Sequence, residues 1–243
     1  MGFLEGKNVS KHFGGLAAVL NLDFQVDRGG VTGLIGPNGA GKTTLLNLIS
    51  GSLTPSNGEI RFKGDIISGL KPHRICKKGV SRTFQSVKLF GNITVFQNIF
   101  LALVYGRPRI SGEINRKREV EELLEFSGLA PKSGVLGKDL TIIDQKLVEL
   151  TRALATQPEL LLLDEVIAGL NPAEVARACE MIRQISRKGI TLIMVEHVMS
   201  VIMSMADRVI VLNYGQKIAD GPPGEISKDR KVIETYLGED PEC

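Results

Sequence analysis

The 243-residue chain predicts an α/β fold with an N-terminal antiparallel β element and a helical subdomain inserted into the core. Three observations predict it. Short, largely apolar runs stand at Val31–Ile35, Leu160–Leu163 and Ile190–Val195, the last two ending in Asp164-Glu165 and Glu196-His197, as parallel strands buried on both faces do. The first run leads straight into Gly36-Pro-Asn-Gly-Ala-Gly-Lys-Thr-Thr44, which fits G-x-x-x-x-G-K-[ST] between a strand and a helix. Between Gly69 and about Thr156 helical spacing replaces the strand pattern, and the α/β pattern then resumes. One domain over residues 1–243, with a helical subdomain at roughly 70–156, is therefore expected.

In chain order, the opening segment through Leu16–Val26 reads as strands, and Asp27-Arg28-Gly29-Gly30 supplies a turn before Val31–Ile35. Leu45, Leu46, Leu48 and Ile49 form the buried stripe of a helix that stops at Gly51. Leu53–Gly58 reads as loop and Glu59–Phe62 as a short strand closed by Lys63-Gly64. In the helical part, Thr94–Val104 sets Val95, Ile99, Phe100 and Ala102 at helical spacing. Ile114–Phe126 sets Val120, Leu123 and Leu124 on one face. Asp144–Ala155 turns Leu147, Val148, Leu150 and Leu154 inward. Pro172–Ser186 is a helix capped by Asn171 with proline at its first position. Val209–Leu212 and Gln216–Ala219 pair across Asn213-Tyr214-Gly215, and a polar helix near Asp229–Leu237 precedes an acidic tail.

Composition excludes several classes. Charged residues are 23% of the chain and hydrophobic ones 43%, as in an ordinary soluble globule. A net charge of +3 without a dense basic block gives no footprint for nucleic acid, and Arg116–Arg118 reads as a solvated helix face. Cys76, Cys179 and Cys243 are scattered and odd in number, as reduced thiols of a cytosolic protein are. The N-terminus lacks the apolar core of a secretion signal, and Gly6 stands where myristoylation wants Ser or Thr. No apolar stretch is long enough to span a bilayer, so membrane work would need another chain.

The chemistry starts in the glycine-rich loop. Its glycines let backbone N–H groups close on phosphate oxygens, and Lys42 adds its charge at the positive end of a helix. Thr43 offers a short hydroxyl to a Mg²⁺ bridging the phosphates. Asp164 follows a buried strand and can reach that metal from the strand's carboxyl end. Its neighbour Glu165 is placed to polarise a water. His197, after the next buried strand, is a candidate γ-phosphate contact. Gln85, in Ser-Arg-Thr-Phe-Gln, can reach the metal or the water through its amide.

In this order the motifs resemble the nucleotide-binding subunit of an ABC transporter over nearly the whole chain. The matching residues are the Gly36–Thr44 loop, Gln85, the Leu160–Glu165 strand, Ala168-Gly-Leu-Asn-Pro172 and His197. The resemblance implies a RecA-like P-loop NTPase core. It also implies ATP and Mg²⁺ as ligands, held by Gly36, Pro37, Asn38, Gly39, Ala40, Gly41, Lys42, Thr43 and Thr44, with Phe13 against adenine. Thr43, Gln85 and Asp164 would serve the metal; Glu165, His197 and Lys42 would be catalytic; Thr141 would reach the nucleotide of a second subunit. Phe13–Val19, Ala153–Pro158, Val195–Met199 and Val232–Gly238 are similar in wording to ATP-binding proteins of branched-chain amino acid importers. That implies permease subunits, a second ATP-binding subunit and, indirectly, a periplasmic or extracellular solute-binding protein. The chain would then lie in the cytoplasm against the inner face of the cell membrane. Urea or small-solute uptake and lipopolysaccharide export are the alternatives within the family. Soluble members usually carry two cassettes or a long coiled-coil insertion, and neither fits here.

One stretch departs from the family. Its usual Leu-Ser-Gly-Gly-Gln is here Leu140-Thr141-Ile142-Ile143-Asp144. Ile143 is expected to put a branched side chain where close approach is wanted. Asp144 is expected to be unfavourable near a triphosphate unless it points away or caps the helix. Either the loop is a tolerated variant that still closes and hydrolyses ATP, or the chain is a regulatory ATP-binding subunit that turns over slowly or not at all. The presence of Glu165 and His197 favours the first. Val166, where the family usually has Pro, reads as packing.

Overall fold

A computed structural model describes residues 2–107 and 112–237; the acidic tail and Cys243 lie outside them. In order the elements are β1 (Leu4–Phe13), β2 (Leu16–Val26), β3 (Val31–Ile35), α1 (Lys42–Ile49), β4 (Asn57–Phe62) and β5 (Asp65–Ile66). Next come α2 (Pro72–Lys78), β6 (Val80–Arg82), α3 (Val95–Tyr105), α4 (Glu113–Ser127), α5 (Ile142–Ala155), β7 (Leu160–Asp164) and α6 (Pro172–Arg187). The chain continues with β8 (Thr191–Val195), α7 (Met199–Met205), β9 (Arg208–Asn213), β10 (Gln216–Gly221), α8 (Pro223–Ile226) and α9 (Arg230–Leu237). The chain forms two compact units, Met1–Pro72 with Thr191–Cys243, and His73–Ile190.

In the first unit β2, β1, β4 and β5 make an antiparallel sheet in that order. β3 lies between β8 and β9 and runs parallel to both, and β10 closes antiparallel on β9. Every residue of β3 and β8 is buried, which is why both read as apolar runs instead of alternating. The stripe expected of α1, Leu45, Leu46, Leu48 and Ile49, is buried as a whole. At about 1.5–3 kcal/mol for each such side chain, that face anchors the helix.

In the second unit β6 runs parallel to β7, with Val80 opposite Leu160 and Arg82 opposite Leu162. The segment expected to be purely helical after Gly69 thus also contains a strand. Val-Ser-Arg is too short to show a period, and its pairing with β7 makes it a strand. α3 begins in a complete capping box between Thr94 and Gln97, and α6 in another between Asn171 and Glu174. Val95 and Ile99 are buried as expected, but Asn98 and Leu103 complete the buried face where Phe100 and Ala102 were expected. On α4, Val120 and Leu124 are buried and Leu123 only half-buried. α5 buries Leu147, Val148, Leu150 and Leu154 as expected, and Val166 is buried. Among the described residues no helix is long and apolar enough to cross a membrane.

Candidate nucleotide site

In the first unit the glycine-rich loop leaves β3 and enters α1. Gly41 sits at φ +103°, and a Cβ there would lie 2.4 Å from the Ala18 carbonyl oxygen. At Gly36 a Cβ would lie 2.1 Å from the Leu212 carbonyl oxygen. Both positions need glycine. The loop is braced from behind by the β9–β10 turn: the Gly215 N–H donates to the Ala40 carbonyl at 3.1 Å. The phenol of Tyr236, on α9, hydrogen-bonds the Gly36 backbone, while burial raises its pKa. A cavity of about 590 Å³ opens beside the loop, lined by Asn38, Gly39, Tyr214, Lys231 and Glu234 among others.

Lys42 is buried, and its ammonium donates to the carbonyls of Gly36 at 2.6 Å and Pro37 at 2.9 Å. The cation is thus held inside the loop it serves. Thr43 is exposed and Thr44 half-buried, so the Thr43 hydroxyl is open to a ligand. β3 and β8 pair with Leu34 opposite Val195, so Gly36 and His197 leave neighbouring strands at the same carboxyl edge. His197 is exposed there. The exposed Phe13 ring, at the end of β1, carries the Lys11 ammonium 5.4 Å from its centroid.

In the second unit Gln85 and Asp164-Glu165 follow the paired strands β6 and β7. The Gln85 amide nitrogen donates to Glu165 Oε2 at 2.8 Å. Glu165 takes φ +52°, a left-handed backbone that costs a non-glycine residue about 1–3 kcal/mol. The Lys146 ammonium donates to its carbonyl at 3.3 Å. Asp164 forms a salt bridge with Arg82 at 2.7 Å, with side chains only 1% and 5% exposed. The other carboxylate oxygen of Asp164, Oδ1, is buried and makes no hydrogen bond. A hard oxygen donor left in that condition suits a divalent cation or its water shell. Sequence reasoning missed Arg82 as a partner of Asp164; its only signal was a basic residue three positions before Gln85.

The unusual loop before α5 has a clear local structure. Thr141 caps the helix: its hydroxyl accepts the Asp144 N–H at 3.4 Å and donates to Asp144 Oδ2 at 2.5 Å. Asp144 is buried and forms ion pairs with Lys132 and with Arg177, the latter at 3.5 Å. Burial alone would raise its pKa, but hydrogen bonds from Lys132 and Thr141 and the nearby Lys132 and Arg177 charges hold it below the usual carboxylate range. The expected conflict with a triphosphate is therefore answered by two cations and a cap. A second expectation is corrected. Ile143 points into the core at 6% exposure, and Ile142 is the outward side chain at 61%. One residue turns a helix by about 100°, which puts the second isoleucine on the apolar face.

A phosphate loop on a parallel α/β core, with acidic residues after a buried strand, defines a nucleoside-triphosphate-binding protein. The chain belongs to the ABC transporter family, whose match covers residues 19–168, and is an ATPase of that family. A second match, to the branched-chain amino acid ATP-binding cassette transporter family, covers residues 216–242. The chain is 37% identical to the high-affinity branched-chain amino acid transport ATP-binding protein BraF of Pseudomonas aeruginosa, over 97% of this chain and 98% of BraF. It is 38% identical to LivG of Escherichia coli, a protein of the same description, over 93% and 94% of the two chains. Among solved structures it resembles the ADP conformation of MJ1267, an ATP-binding cassette of an ABC transporter. There the TM-score is 0.89 at 31% identity, over 98% of this chain and all of the other.

Proposed function

We propose that this chain is the ATP-hydrolysing subunit of an importer for branched-chain or other hydrophobic amino acids, working as one ATPase domain with an inserted helical subdomain. The loop amides of Gly36–Thr44 and the Lys42 ammonium hold the β- and γ-phosphates, with Phe13 toward adenine. Thr43, Gln85 and Asp164 would hold Mg²⁺ through oxygen atoms, and the ion would supply positive charge against the phosphates. Glu165 orients and polarises the attacking water, taking up its proton as the oxygen attacks in line. His197 donates to the γ-phosphate. From a second ATP-binding subunit, the N-terminus of the helix equivalent to α5 completes the site; on this chain that face carries Thr141 and the outward Ile142.

The observation that carries the hydrolytic reading is the Glu165 carboxylate at the end of β7, held at 2.8 Å by the Gln85 amide. A phosphate-holding protein has no need of a carboxylate so placed. For the solute, the support is the likeness to BraF and LivG and the separate match at residues 216–242. A groove of about 340 Å³ lined by Phe96, Phe100, Leu101 and Lys117 on α3 and α4 supports docking of a permease in the Phe90–Ile99 region. The chain would lie on the cytoplasmic side of the membrane, peripheral to the permease.

The complex should be purified with its permease and solute-binding protein and reconstituted in vesicles. Leucine, isoleucine or valine should raise phosphate release, and urea should not. Stimulation by urea alone would replace the amino acid assignment, and no ATP hydrolysis in the complete complex would replace the catalytic one.

A further inference from the structure

We propose that Glu149 and Arg152 are positioning residues that tether the Phe84–Phe90 segment, and with it the Gln85 amide, to helix α5. The proposal rests on the reading that Gln85 meets the metal. Lys146, Glu149 and Arg152 recur every three residues, so they form one polar row along the helix. Together they grip the catalytic chain at several points, and the Glu149 carboxylate takes backbone hydrogen bonds from both Phe84 and Lys88. Glu149 Oε1 accepts the Phe84 N–H at 3.1 Å. Arg152 donates to the Lys88 carbonyl at 2.5 Å and lies over the Phe90 ring, 5.1 Å from its centroid. Lys146 reaches the Glu165 carbonyl from the next turn.

Glu149 and Lys146 are both buried, where charged side chains are rare. A row of apolar residues would cost less, so the energy of desolvation is offset by what the row holds. It holds Phe84, immediately before Gln85, Lys88, three residues after it, and the backbone of Glu165. Gln85 itself touches α5 through none of these bonds; its amide faces Glu165. The row therefore sets where the Gln85 segment can place its amide, without touching nucleotide.

The test uses the full chain and two measurements. Amide hydrogen exchange reads the tether directly, and nucleotide titration with and without Mg²⁺ reads its consequence. In Glu149→Ala, exchange at Phe84 and Lys88 should quicken by about tenfold or more, and Mg²⁺ should strengthen ATP binding by a smaller factor than in the parent. Metal-free ATP binding should be unchanged, and Glu149→Gln, which keeps an acceptor, should recover the parent behaviour. A structural role alone would lower stability without moving the Mg²⁺ dependence. Should Glu149→Ala fail to fold, Arg152→Met removes both the donor to the Lys88 carbonyl and the cation over Phe90; exchange at Leu89 and Phe90 should quicken and Phe84 stay protected.

Unchanged exchange in either folded variant overturns the proposal. Faster exchange with an unmoved Mg²⁺ effect also overturns it, provided Gln85→Ala does move that effect. If neither Gln85→Ala nor Glu149→Ala moves it while exchange quickens, the tether stands and the metal role of Gln85 falls.

Discussion

Replacing Arg82 by Met should strongly destabilise the chain. The Arg82–Asp164 pair is 2.7 Å long with both side chains almost wholly buried. Met fills a similar volume and leaves the Asp164 carboxylate without its cation. Removing one partner of a buried pair costs about 3–5 kcal/mol. In a chain of this size each kcal/mol shifts the melting midpoint by about 2–4 °C, so a drop of about 6–20 °C follows. Urea titration gives the free energy, and an unchanged slope against denaturant shows that compactness is unaltered. The double variant Arg82→Met/Asp164→Asn should recover part of the loss, since no buried charge remains unpaired. MgATP should raise the melting point of Arg82→Met by more than that of the parent, because the ion brings a cation to Asp164. A loss under about 1 kcal/mol, or equal stabilisation by MgATP in both proteins, would refute the reasoning.

Three further outcomes are expected. Asp144→Ala leaves two half-exposed cations able to rehydrate, so it should cost only about 1–3 kcal/mol, read by urea titration. Because the folded pKa of Asp144 is depressed, its contribution is present at neutral pH and lost as pH falls below the usual carboxylate range; the gap to Asp144→Ala should narrow there. Ile142→Gly, at the outward position, should leave ATPase activity of the assembled transporter within about tenfold, or 1.4 kcal/mol of barrier, and a much larger gain would favour a slow native site. Ile143→Gly is the wrong probe, since it would open a cavity in the core. Gly41→Ala should abolish tight nucleotide binding, measured by fluorescent-nucleotide titration, because its Cβ meets the Ala18 carbonyl.

The parts legible in the sequence are those written locally. The phosphate loop announces itself because glycines, lysine and threonine must stand in one fixed order. β3, β7 and β8 were legible because burial on both faces leaves no polar alternation, and Asn171-Pro172 marked the start of α6 by its own cap. What escaped depends on partners distant in the chain. β6 is three residues long and exists through β7. Arg82 meets a carboxylate 82 positions away, and Asp144 meets cations at Lys132 and Arg177. Neither pairing leaves a trace in spacing. The outward isoleucine was misjudged because motif alignment orders residues along the chain, whereas burial follows rotation about the helix.

The central claim is that Glu165 makes this loop a hydrolytic site. The direct measurement compares MgATP binding with steady-state phosphate release in Glu165→Gln, within the assembled transporter. Gln keeps the shape and the bond to Gln85 while removing the base. Binding should stay near the parent level and turnover should fall by about 10²–10⁴-fold. Turnover at the parent rate would contradict the account.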